Sequence, residues 1–236
     1  MKMSIAIPTY GSKGRGGEFL EDLFETIQIQ TFKDFEVVVS DHSIDNEILK
    51  LTDQYREKFK IVYIKNENNL GNGPANTNNA IENCSGEIVK IMFQDDFFYD
   101  DEALEKIYNA FDPDTNWVLC GSNHTKDDGN SFYWDLFPTW NTNILNGVNT
   151  ISSPSVLTTR KAVFDDIKFD TSLVMMMDCE LYYHIKKLYG DPVYCNDILV
   201  SNRIHEDQIS SMYLKDNYQK KIDKEIQYCK KKHKVN

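Results

Sequence analysis

Residues 86–96 read Gly-Glu-Ile-Val-Lys-Ile-Met-Phe-Gln-Asp-Asp, a mostly apolar run that ends in two adjacent carboxylates. The run Ile88 to Phe93 predicts a buried strand, which places Asp95 and Asp96 at its carboxyl end. In open α/β sheets this edge is where ligands bind. Two neighbouring carboxylates repel each other unless a cation lies near both, and Mg²⁺ or Mn²⁺ with oxygen ligands is the usual cation. The alternative interpretation is an acidic turn in which Asp96 or Asp100 caps the next helix.

The chain before this strand alternates strands with helices. Further strands are predicted at Met3 to Pro8, Phe35 to Ser40 and Lys60 to Lys65. Each is followed by a helical pattern. The first helix has its apolar residues Leu20, Leu23, Phe24 and Ile27 on one face. The second is predicted over Ile48 to Phe59, and the third contains Ala80 and Ile81. Four strand–helix repeats predict a parallel, doubly wound sheet with right-handed crossovers.

The pattern after residue 100 is less regular. It predicts, in order, a helix around Leu104 to Phe111, a strand at Trp117 to Gly121, a strand-like run at Ser155 to Arg160, a helix at Asp178 to Tyr189, a strand at Pro192 to Val200 and a helix from Tyr213 to the end. Residues 124–150 hold five aromatic residues without a period. We interpret these aromatics as hydrophobic cover for a loop, with a platform for a flat ligand as the alternative.

Bulk properties narrow the class of protein. The 236 residues suit one domain, and the net charge of −11 argues against a protein that grips nucleic acid over a broad face. No run resembles a signal peptide or a membrane span, and the five cysteines lack C-x-x-C spacing, so a reducing cytoplasm is expected. The basic tail from Lys230 to Lys234 is interpreted as a solvated helix end, with weak contact to anionic lipid at the inner face of a membrane as the alternative.

The carboxyl ends of the predicted strands collect chemically useful side chains. Tyr10 follows the first strand, Asp41 the second, and Asp95 and Asp96 the fourth. A ring can stack on a base, Asp41 can accept a hydrogen bond from a base N–H, and a metal on the acid pair can neutralise a diphosphate. These residues predict a nucleoside diphosphate site. Tyr10 as a turn aromatic and Asp41 as a helix N-cap are the alternatives.

A series of motifs along the whole chain resembles those of the family 2 glycosyltransferases, which have the GT-A fold. The matching stretches are Ile7-Pro8-Thr9-Tyr10, Ser40 to Asp45, Asn69-Leu70-Gly71 with Asn78 to Glu87, Phe93 to Asp96, Met177 to Leu181, and Arg203 to Ser210. The resemblance implies a Rossmann-like α/β domain over 1–212, with a nucleotide-binding half (1–100), an acceptor half (101–212) and a mostly parallel sheet flanked by helices. Residues 213–236 would form a C-terminal helix.

The resemblance also implies the roles of individual residues. Asp178 falls on the catalytic base, and Asp96 and His205 fall on the metal site for Mn²⁺ or Mg²⁺. The nucleotide-binding positions are Pro8, Thr9, Tyr10, Asp41, Asn69, Gly71, Asn78 and Asp95. A helix N-cap is the alternative for Asp178, and a surface histidine is the alternative for His205.

Several positions depart from the family pattern. Phe93 replaces the first acid of the metal motif, Thr77 stands where many members have arginine, and Met177 replaces the glutamate before the base. The Gln-x-x-Arg-Trp motif of processive synthases is absent, which implies a soluble enzyme that transfers single sugars. The expected reaction is inverting transfer from a UDP-sugar to a hydroxyl of a saccharide or lipid-linked saccharide, with a modified nucleobase or protein as other acceptors. The alternative is an inactive relative that binds a nucleotide or glycan as an interaction module.

Overall fold

A mixed sheet with helices on its faces forms the centre of the chain in the computed structural model, which describes residues 1–11, 14–126, 128–208, 211 and 218–235. The elements of this described part are, in chain order, β1 (Met3–Thr9), α1 (Gly16–Gln28), β2 (Phe35–Asp41), α2 (Glu47–Tyr55), β3 (Ile61–Lys65), α3 (Gly73–Glu82), β4 (Ile88–Ile91), β5 (Phe97–Phe98), α4 (Ala103–Asn109), β6 (Trp117–Thr125), β7 (Tyr133–Leu136), β8 (Leu157–Arg160), α5 (Val163–Asp166), α6 (Met177–Tyr189), β9 (Val193–Arg203) and α7 (Tyr218–His233). Short 3₁₀ turns cover Ile144–Asn146 and Pro154–Val156. None of the helices among these residues is long and apolar enough to cross a bilayer.

The first four long strands form the parallel half of the sheet, in the order β3-β2-β1-β4. β1 and β2 are buried along almost their whole length, as expected for strands covered by helices on both faces. The register pairs Thr9 with Asp41, and Asp41 with Lys65. The carboxyl ends of β1, β2 and β3 therefore lie side by side, as the alternation of strands and helices predicted.

The second half of the sheet is mixed, in the order β4-β8-β6-β9-β5, with β7 paired to β6. β8 runs antiparallel to both β4 and β6, and β6 runs parallel to β9. The predicted α/β domain is confirmed; the sheet is parallel among the first four strands and between β6 and β9, and its other pairs are antiparallel. The antiparallel direction of β8 arises because it begins beside the end of β4, where the N–H of Phe93 donates to Ser155 Oγ (3.0 Å), so β8 must run back along it.

Several predicted boundaries differ from the observed ones. β4 ends at Ile91 rather than Phe93, because the chain leaves the sheet to form the turn that carries the two acids. β6 continues to Thr125, and β9 continues to Arg203, beyond the predicted ends at Gly121 and Val200. The C-terminal helix is described from Tyr218, and its predicted start at Tyr213 lies outside the described residues.

The aromatic segment 124–150 is only partly the cover that we predicted. Trp140 packs against the core, whereas Phe132, Tyr133, Trp134 and Phe137 are exposed, Trp134 by 67%. Trp134 instead stacks on His124 of the neighbouring strand, with ring centroids 5.1 Å apart. The interpretation as cover is therefore wrong for Trp134, whereas Phe132, although exposed, packs against the rings of Phe97 (6.5 Å) and Tyr99 (5.0 Å).

A buried carboxylate joins the strands at the opposite edge of the parallel half. Glu36 on β2 accepts hydrogen bonds from Ser4 Oγ (2.8 Å), Ser85 N–H (2.7 Å) and Lys60 Nζ (2.6 Å). Burial alone would raise the pKa of Glu36, but the hydrogen bonds from Lys60, Ser85 and Ser4 outweigh it and lower the pKa to about 2. The ionised form thus stabilises the folded state.

Glu36→Gln is expected to lower the free energy of unfolding at pH 7 by about 3 kcal/mol, at 1.36 kcal/mol for each pKa unit. Because the folded pKa is below the unfolded one, this contribution is complete above about pH 4.5 and is lost as the pH falls towards 2. The difference between wild type and variant in urea unfolding should therefore shrink between pH 7 and pH 3. Asp53→Asn, at an exposed ion pair with Arg56, is the matched control and should change stability by less than about 0.5 kcal/mol. An equal effect of Glu36→Gln at both pH values would contradict the role assigned to its charge.

Candidate active site

The turn after β4 holds its two acids in different environments. Asp96 is buried, and its Oδ2 accepts from Asn202 Nδ2 (2.9 Å) and Ser153 Oγ (3.1 Å) while its Oδ1 accepts from the N–H of Arg203 (3.2 Å). Burial and the charge of Asp95 raise the pKa of Asp96 to about 7 against these hydrogen bonds. Both oxygens of Asp96 are therefore used to join the turn to β9 and to the segment before β8.

Asp95 faces a different partner and is more accessible. Its Oδ2 lies 3.1 Å from Nε2 of His205, and the Asp95 side chain is 24% exposed. The His205 ring is buried against the ring of Phe19 (4.8 Å between centroids), and its Nδ1 has no hydrogen-bond partner among the described residues. The turn after β4 and the segment after β9, predicted to act together, thus meet through Asp95 and His205.

These contacts allow a test of whether a divalent cation fits here. Asp95 offers a partly exposed carboxylate, and Nε2 of His205 lies 3.1 Å from it, whereas Nδ1 on the other side of the ring is buried. Carboxylate and imidazole together suit Mn²⁺, Zn²⁺ and, with waters, Mg²⁺. The donor set fits a cation, but the predicted ligand Asp96 is the acid with both oxygens already engaged.

The end of β1 lies next to the same turn. The backbone N–H of Tyr10 donates to Gln94 Oε1 (2.9 Å), and the Tyr10 carbonyl accepts from Gln94 Nε2 (3.0 Å). The Tyr10 ring is exposed, whereas Thr9 is buried and Pro8 is half-buried. Gln94 therefore fixes the backbone at Tyr10 to the turn that carries Asp95.

Asp41 is fully buried at the end of β2. Its Oδ1 accepts from the N–H of Ser43 (2.7 Å), and its Oδ2 accepts from the Tyr63 hydroxyl (2.7 Å) and Lys65 Nζ (3.2 Å). Burial would raise the pKa of Asp41, but the hydrogen bonds from Ser43, Tyr63 and Lys65 outweigh it and keep the pKa below its usual value. The carboxylate organises the ends of β2 and β3, and its predicted contact with a base stays a prediction.

Asp178 lies in the first turn of α6 and is half-buried. Its Oδ1 accepts from the N–H of Cys179 (2.7 Å), and its Oδ2 accepts from Asn149 Nδ2 (2.8 Å). Burial raises the pKa of Asp178 to about 6 against the hydrogen bonds from Cys179 and Asn149. At pH 7 the group is therefore ionised and is a stronger base than an ordinary aspartate.

The segment 149–153 connects Asp178 to Asp96. Asn149 also donates to the carbonyl of Ser152 (3.1 Å), and Ser152 Oγ donates to Asn202 Oδ1 (3.0 Å), the residue that binds Asp96. Ser152 has a φ of 116°, a conformation that residues other than glycine rarely adopt. Backbone strain of this kind is typical of functional sites, where the surrounding contacts hold it in place.

Arg203 fixes the end of β9 from behind. Its guanidinium lies over the rings of Phe19 (4.8 Å) and Phe97 (5.3 Å) and pairs with Asp22 and Asp128, each 2.9 Å away. The arginine is buried, so it holds the strand that carries Asn202 and leads to His205. Arg203 is a structural support of the site.

The motif residues Asn69 and Asn78 lie around a depression beside the end of β2. They line this depression of about 280 Å³ with Asn66, Asn79 and Thr171, and the N–H of Asn66 donates to the carbonyl of Asp41 (2.9 Å). The Asn78 amide binds the backbone N–H and C=O of Phe169 (2.9 and 2.8 Å). The role of Asn69, Gly71 and Asn78 in nucleotide binding stays a prediction.

The C-terminal helix holds the start of α6 in place. The Glu225 carboxylate on α7 accepts from the backbone N–H groups of residues 174–176, at 2.8 to 3.2 Å. The first N–H groups of a helix have no partner within it, and the positive end of the helix dipole favours an anion there. Glu225 thus positions the turn that carries Asp178.

Four residues of the site were not predicted from the sequence: Gln94, Asn149, Ser153 and Asn202. All four join segments that are distant in sequence, so no local pattern identifies their contacts. Asn202 directly precedes Arg203 of the last motif, and its position in a strand that ends at the acid pair is the one signal that could have found it.

Comparisons with known proteins identify the family of the chain. The model of glycosyl transferase family 2 matches residues 4–185. An uncharacterized glycosyltransferase of Rickettsia typhi is 25% identical over 231 residues, which are 90% of this chain and 67% of that protein. The poly(ribitol-phosphate) β-N-acetylglucosaminyltransferase TarS of Staphylococcus aureus is 32% identical over 100 residues, which are 41% of this chain and 17% of TarS.

Two solved structures show a similar fold. The structure of TarS residues 1–349 in complex with UDP superposes with a TM-score of 0.67 at 22% identity, covering 95% of this chain and 65% of that one. A mannosyltransferase from Pyrobaculum calidifontis in complex with GDP-Man and Mn²⁺ gives a TM-score of 0.62 at 16% identity, covering 90% of this chain and 60% of that one. At these identities the likeness is one of fold, and the chain spans about two thirds or less of each of these proteins.

Proposed function

The chain belongs to glycosyltransferase family 2, and from this we propose that it transfers a single sugar from a UDP-sugar to an acceptor hydroxyl with inversion at the anomeric carbon. A hydrogen-bond network carries the proposal. It runs from Asp178 through Asn149, the 152–153 segment and Asn202 to Asp96. Asp95, the neighbour of Asp96 in the chain, pairs with His205. One end of this network has a base, and the other has a set of groups suited to a diphosphate and its cation.

Asp178 is the proposed catalytic base. It accepts the proton of the acceptor hydroxyl as that oxygen attacks the anomeric carbon and the bond to the nucleoside diphosphate breaks. Asn149 and the N–H of Cys179 hold the carboxylate in one orientation. Burial makes Asp178 more basic than an exposed aspartate while leaving it ionised near neutral pH.

The proposed cation ligands are Asp95 and His205. When bound, Mn²⁺ or Mg²⁺ would neutralise the charge that develops on the departing diphosphate. The sequence placed Asp96 in this role, but the contacts of Asp96 favour a supporting role in which it holds β9 and therefore His205. Asp95, predicted as a nucleotide contact, takes the place next to the cation.

The donor nucleotide is proposed to lie at the ends of β1 and β2. The exposed Tyr10 ring can stack on the uracil, and Gln94 fixes the Tyr10 backbone to the turn that carries Asp95. Asp41 with Tyr63 and Lys65 supports the floor of this pocket. The complex of TarS with UDP, which shares the fold, supports uracil as the base.

The acceptor is proposed to be a saccharide or a lipid-linked saccharide, read by residues of the acceptor half (101–212). TarS carries the name of a transferase that acts on a poly(ribitol-phosphate) polymer, which supports a surface polysaccharide precursor. A cytoplasmic location, with weak contact between the exposed lysines of α7 and anionic lipid, fits such an acceptor. No broad contact with nucleic acid is proposed.

A thermal-shift panel tests the proposed function. UDP, GDP and CDP are added to the protein with and without Mn²⁺, and UDP is expected to raise the melting temperature only when the cation is present, because a ligand that binds the folded state stabilises it. A shift with GDP or CDP but not with UDP would show that the proposed base is wrong. No shift with any nucleotide would contradict the proposed site.

A nucleotide- or glycan-binding relative without activity is the second candidate. Thr77, at the position where many members have arginine, is buried and donates to the Gly73 carbonyl (2.9 Å), so it offers no charge to a donor. Such a protein would give the same thermal shift with UDP but no release of UDP from a UDP-sugar. Turnover therefore separates the two candidates.

Removing Glu225, the hydrogen-bond acceptor at the start of α6, should weaken both the fold and the reaction. Glu225→Ala leaves three N–H groups without their partner, and the free energy of unfolding is expected to fall by about 1–3 kcal/mol. Turnover should fall more than donor affinity, because the turn that carries Asp178 loses its support. Urea unfolding and initial rates measure the two effects. Glu225→Gln keeps an acceptor oxygen and is the matched control with a smaller loss, and unchanged stability of Glu225→Ala would contradict the role of Glu225.

A further inference from the structure

A second group of possible metal ligands lies between α6 and α7. Glu180 and His184 are four residues apart on α6 and so lie on the same face of the helix, while His233 comes from the last turn of α7. One ligand atom from each of these side chains lies within 4.8 Å of the others. None of the three takes part in the network around Asp178 and Asp96.

The distances in this group are close to those of a metal site. Glu180 Oε1 lies 2.7 Å from His233 Nε2 and 3.8 Å from His184 Nδ1. Ligands of tetrahedral zinc are about 3.3 Å apart, given bonds of about 2.0–2.2 Å. The two observed oxygen–nitrogen distances lie on either side of this value, so small side-chain movements would bring these atoms to the spacing of metal ligands.

Glu180 has an unused binding capacity. Its side chain is fully buried, and its Oε2 has no hydrogen-bond partner in the part of the chain that the structure describes. A buried carboxylate oxygen without a partner is costly, so a ligand for it is expected.

One cation already lies near Glu180. The ammonium of Lys232 is 2.8 Å from Glu180 Oε1 and 2.6 Å from Asp170 Oδ2. Lys232 does not depend on Glu180 for an ion pair, because it stays paired with Asp170 if Glu180 binds a metal. Lys232 thus competes with a metal at Oε1 while Oε2 stays open.

From this geometry we propose that Glu180, His184 and His233 bind a zinc ion that fastens the C-terminal helix to the helix carrying Asp178. Two imidazoles and one carboxylate suit Zn²⁺ and Co²⁺ and do not suit Mg²⁺ or Ca²⁺, which prefer oxygen ligands. Water or the second carboxylate oxygen takes the fourth position. The ion supports the fold, and it is separate from the cation proposed at Asp95 and His205.

The test uses the full chain with the donor-site ligands removed, as Asp95→Asn with His205→Gln. After treatment with a chelator and no nucleotide, this background protein is expected to take up one equivalent of Zn²⁺, measured by metal analysis after gel filtration. Co²⁺ should give visible absorption bands of a four-coordinate site, and Zn²⁺ should raise the melting temperature. No uptake of Zn²⁺ by the background protein would overturn the proposal, whatever becomes of the proposed transfer reaction.

A third substitution assigns the ligands. His184→Gln in the same background should weaken Zn²⁺ binding by at least about tenfold and abolish the cobalt bands. His184 is partly exposed, so this variant is expected to fold, and its melting temperature with chelator checks this. His124→Gln, which alters a histidine outside the group, is the matched control and should bind Zn²⁺ as before.

Lys232→Gln should bind Zn²⁺ more tightly because a competing charge is gone. Unchanged Zn²⁺ affinity in His184→Gln, or weaker affinity in Lys232→Gln, would contradict the site.

Discussion

Asp178→Asn is expected to lower turnover by about 10²–10⁴-fold, the usual contribution of a general base. Asparagine has nearly the same shape and can still accept from the N–H of Cys179, but it cannot take a proton from the acceptor hydroxyl. The Michaelis constant for the donor should change little, because no proposed contact to the nucleotide involves Asp178. Initial rates with a UDP-sugar and UDP binding by calorimetry measure the two effects separately.

Asp191→Asn is the control for this variant. Asp191 follows the far end of the same helix and is 76% exposed, so its substitution should leave turnover unchanged. If Asp178→Asn keeps wild-type turnover, the assignment of the base is wrong. If it loses UDP binding as well as turnover, Asp178 supports the donor pocket instead.

Asp95→Asn and His205→Gln are expected to abolish the effect of Mn²⁺ on UDP binding. Both variants remove a proposed ligand of the cation that bridges to the diphosphate, so the affinity for UDP with Mn²⁺ should fall by at least about tenfold, to the value without metal. Asp95 is partly exposed and His205 touches Phe19, so the fold should persist in both. Calorimetric titration with UDP, with and without Mn²⁺, measures this loss.

Asp96→Asn separates the two acids. Its carboxylate binds Asn202, Ser153 and the backbone of Arg203, so the variant should lose stability and should keep the Mn²⁺ dependence of UDP binding in the protein that remains folded. The reverse result, with normal Mn²⁺ dependence in Asp95→Asn and none in a stable Asp96→Asn, would restore Asp96 as the ligand that the sequence indicated.

The parallel half of the fold was predictable because its signals are local. Strands β1 to β4 are continuous apolar runs, each followed by a turn and a helix, and parallel strands must end at the same edge of a sheet. The meeting of Tyr10, Asp41 and the acid pair followed from that rule. The family motifs then added Asp178 and His205, which no periodicity marks as functional.

The second half depended on contacts between distant residues. β7 was hidden in a segment whose aromatics have no period, and the two-residue β5 exists only because Phe97 and Phe98 pair with β9. The direction of β8 followed from its contact with the end of β4. Local sequence carries little of this information.

The orientations of Asp95 and Asp96 could not be deduced from their order. Both acids lie in the turn after β4, where the strand rule of alternating side chains does not apply, so the sequence does not say which of the two faces inward. Asn202 and Ser153 decide this by binding Asp96, and they lie 106 and 57 residues away in the chain. The assignment of the metal ligand therefore required the three-dimensional contacts.

The configuration of the sugar first released from an α-linked UDP-sugar tests the central claim most directly. The protein is incubated with Mn²⁺ and UDP-glucose, UDP-galactose or UDP-N-acetylglucosamine, with water as a slow acceptor, and the anomeric protons are followed by NMR. We expect the β-anomer to form first in the wild type and no release in Asp178→Asn. Release of the α-anomer first, or equal release by wild type and Asp178→Asn, would contradict an inverting transfer in which Asp178 is the base.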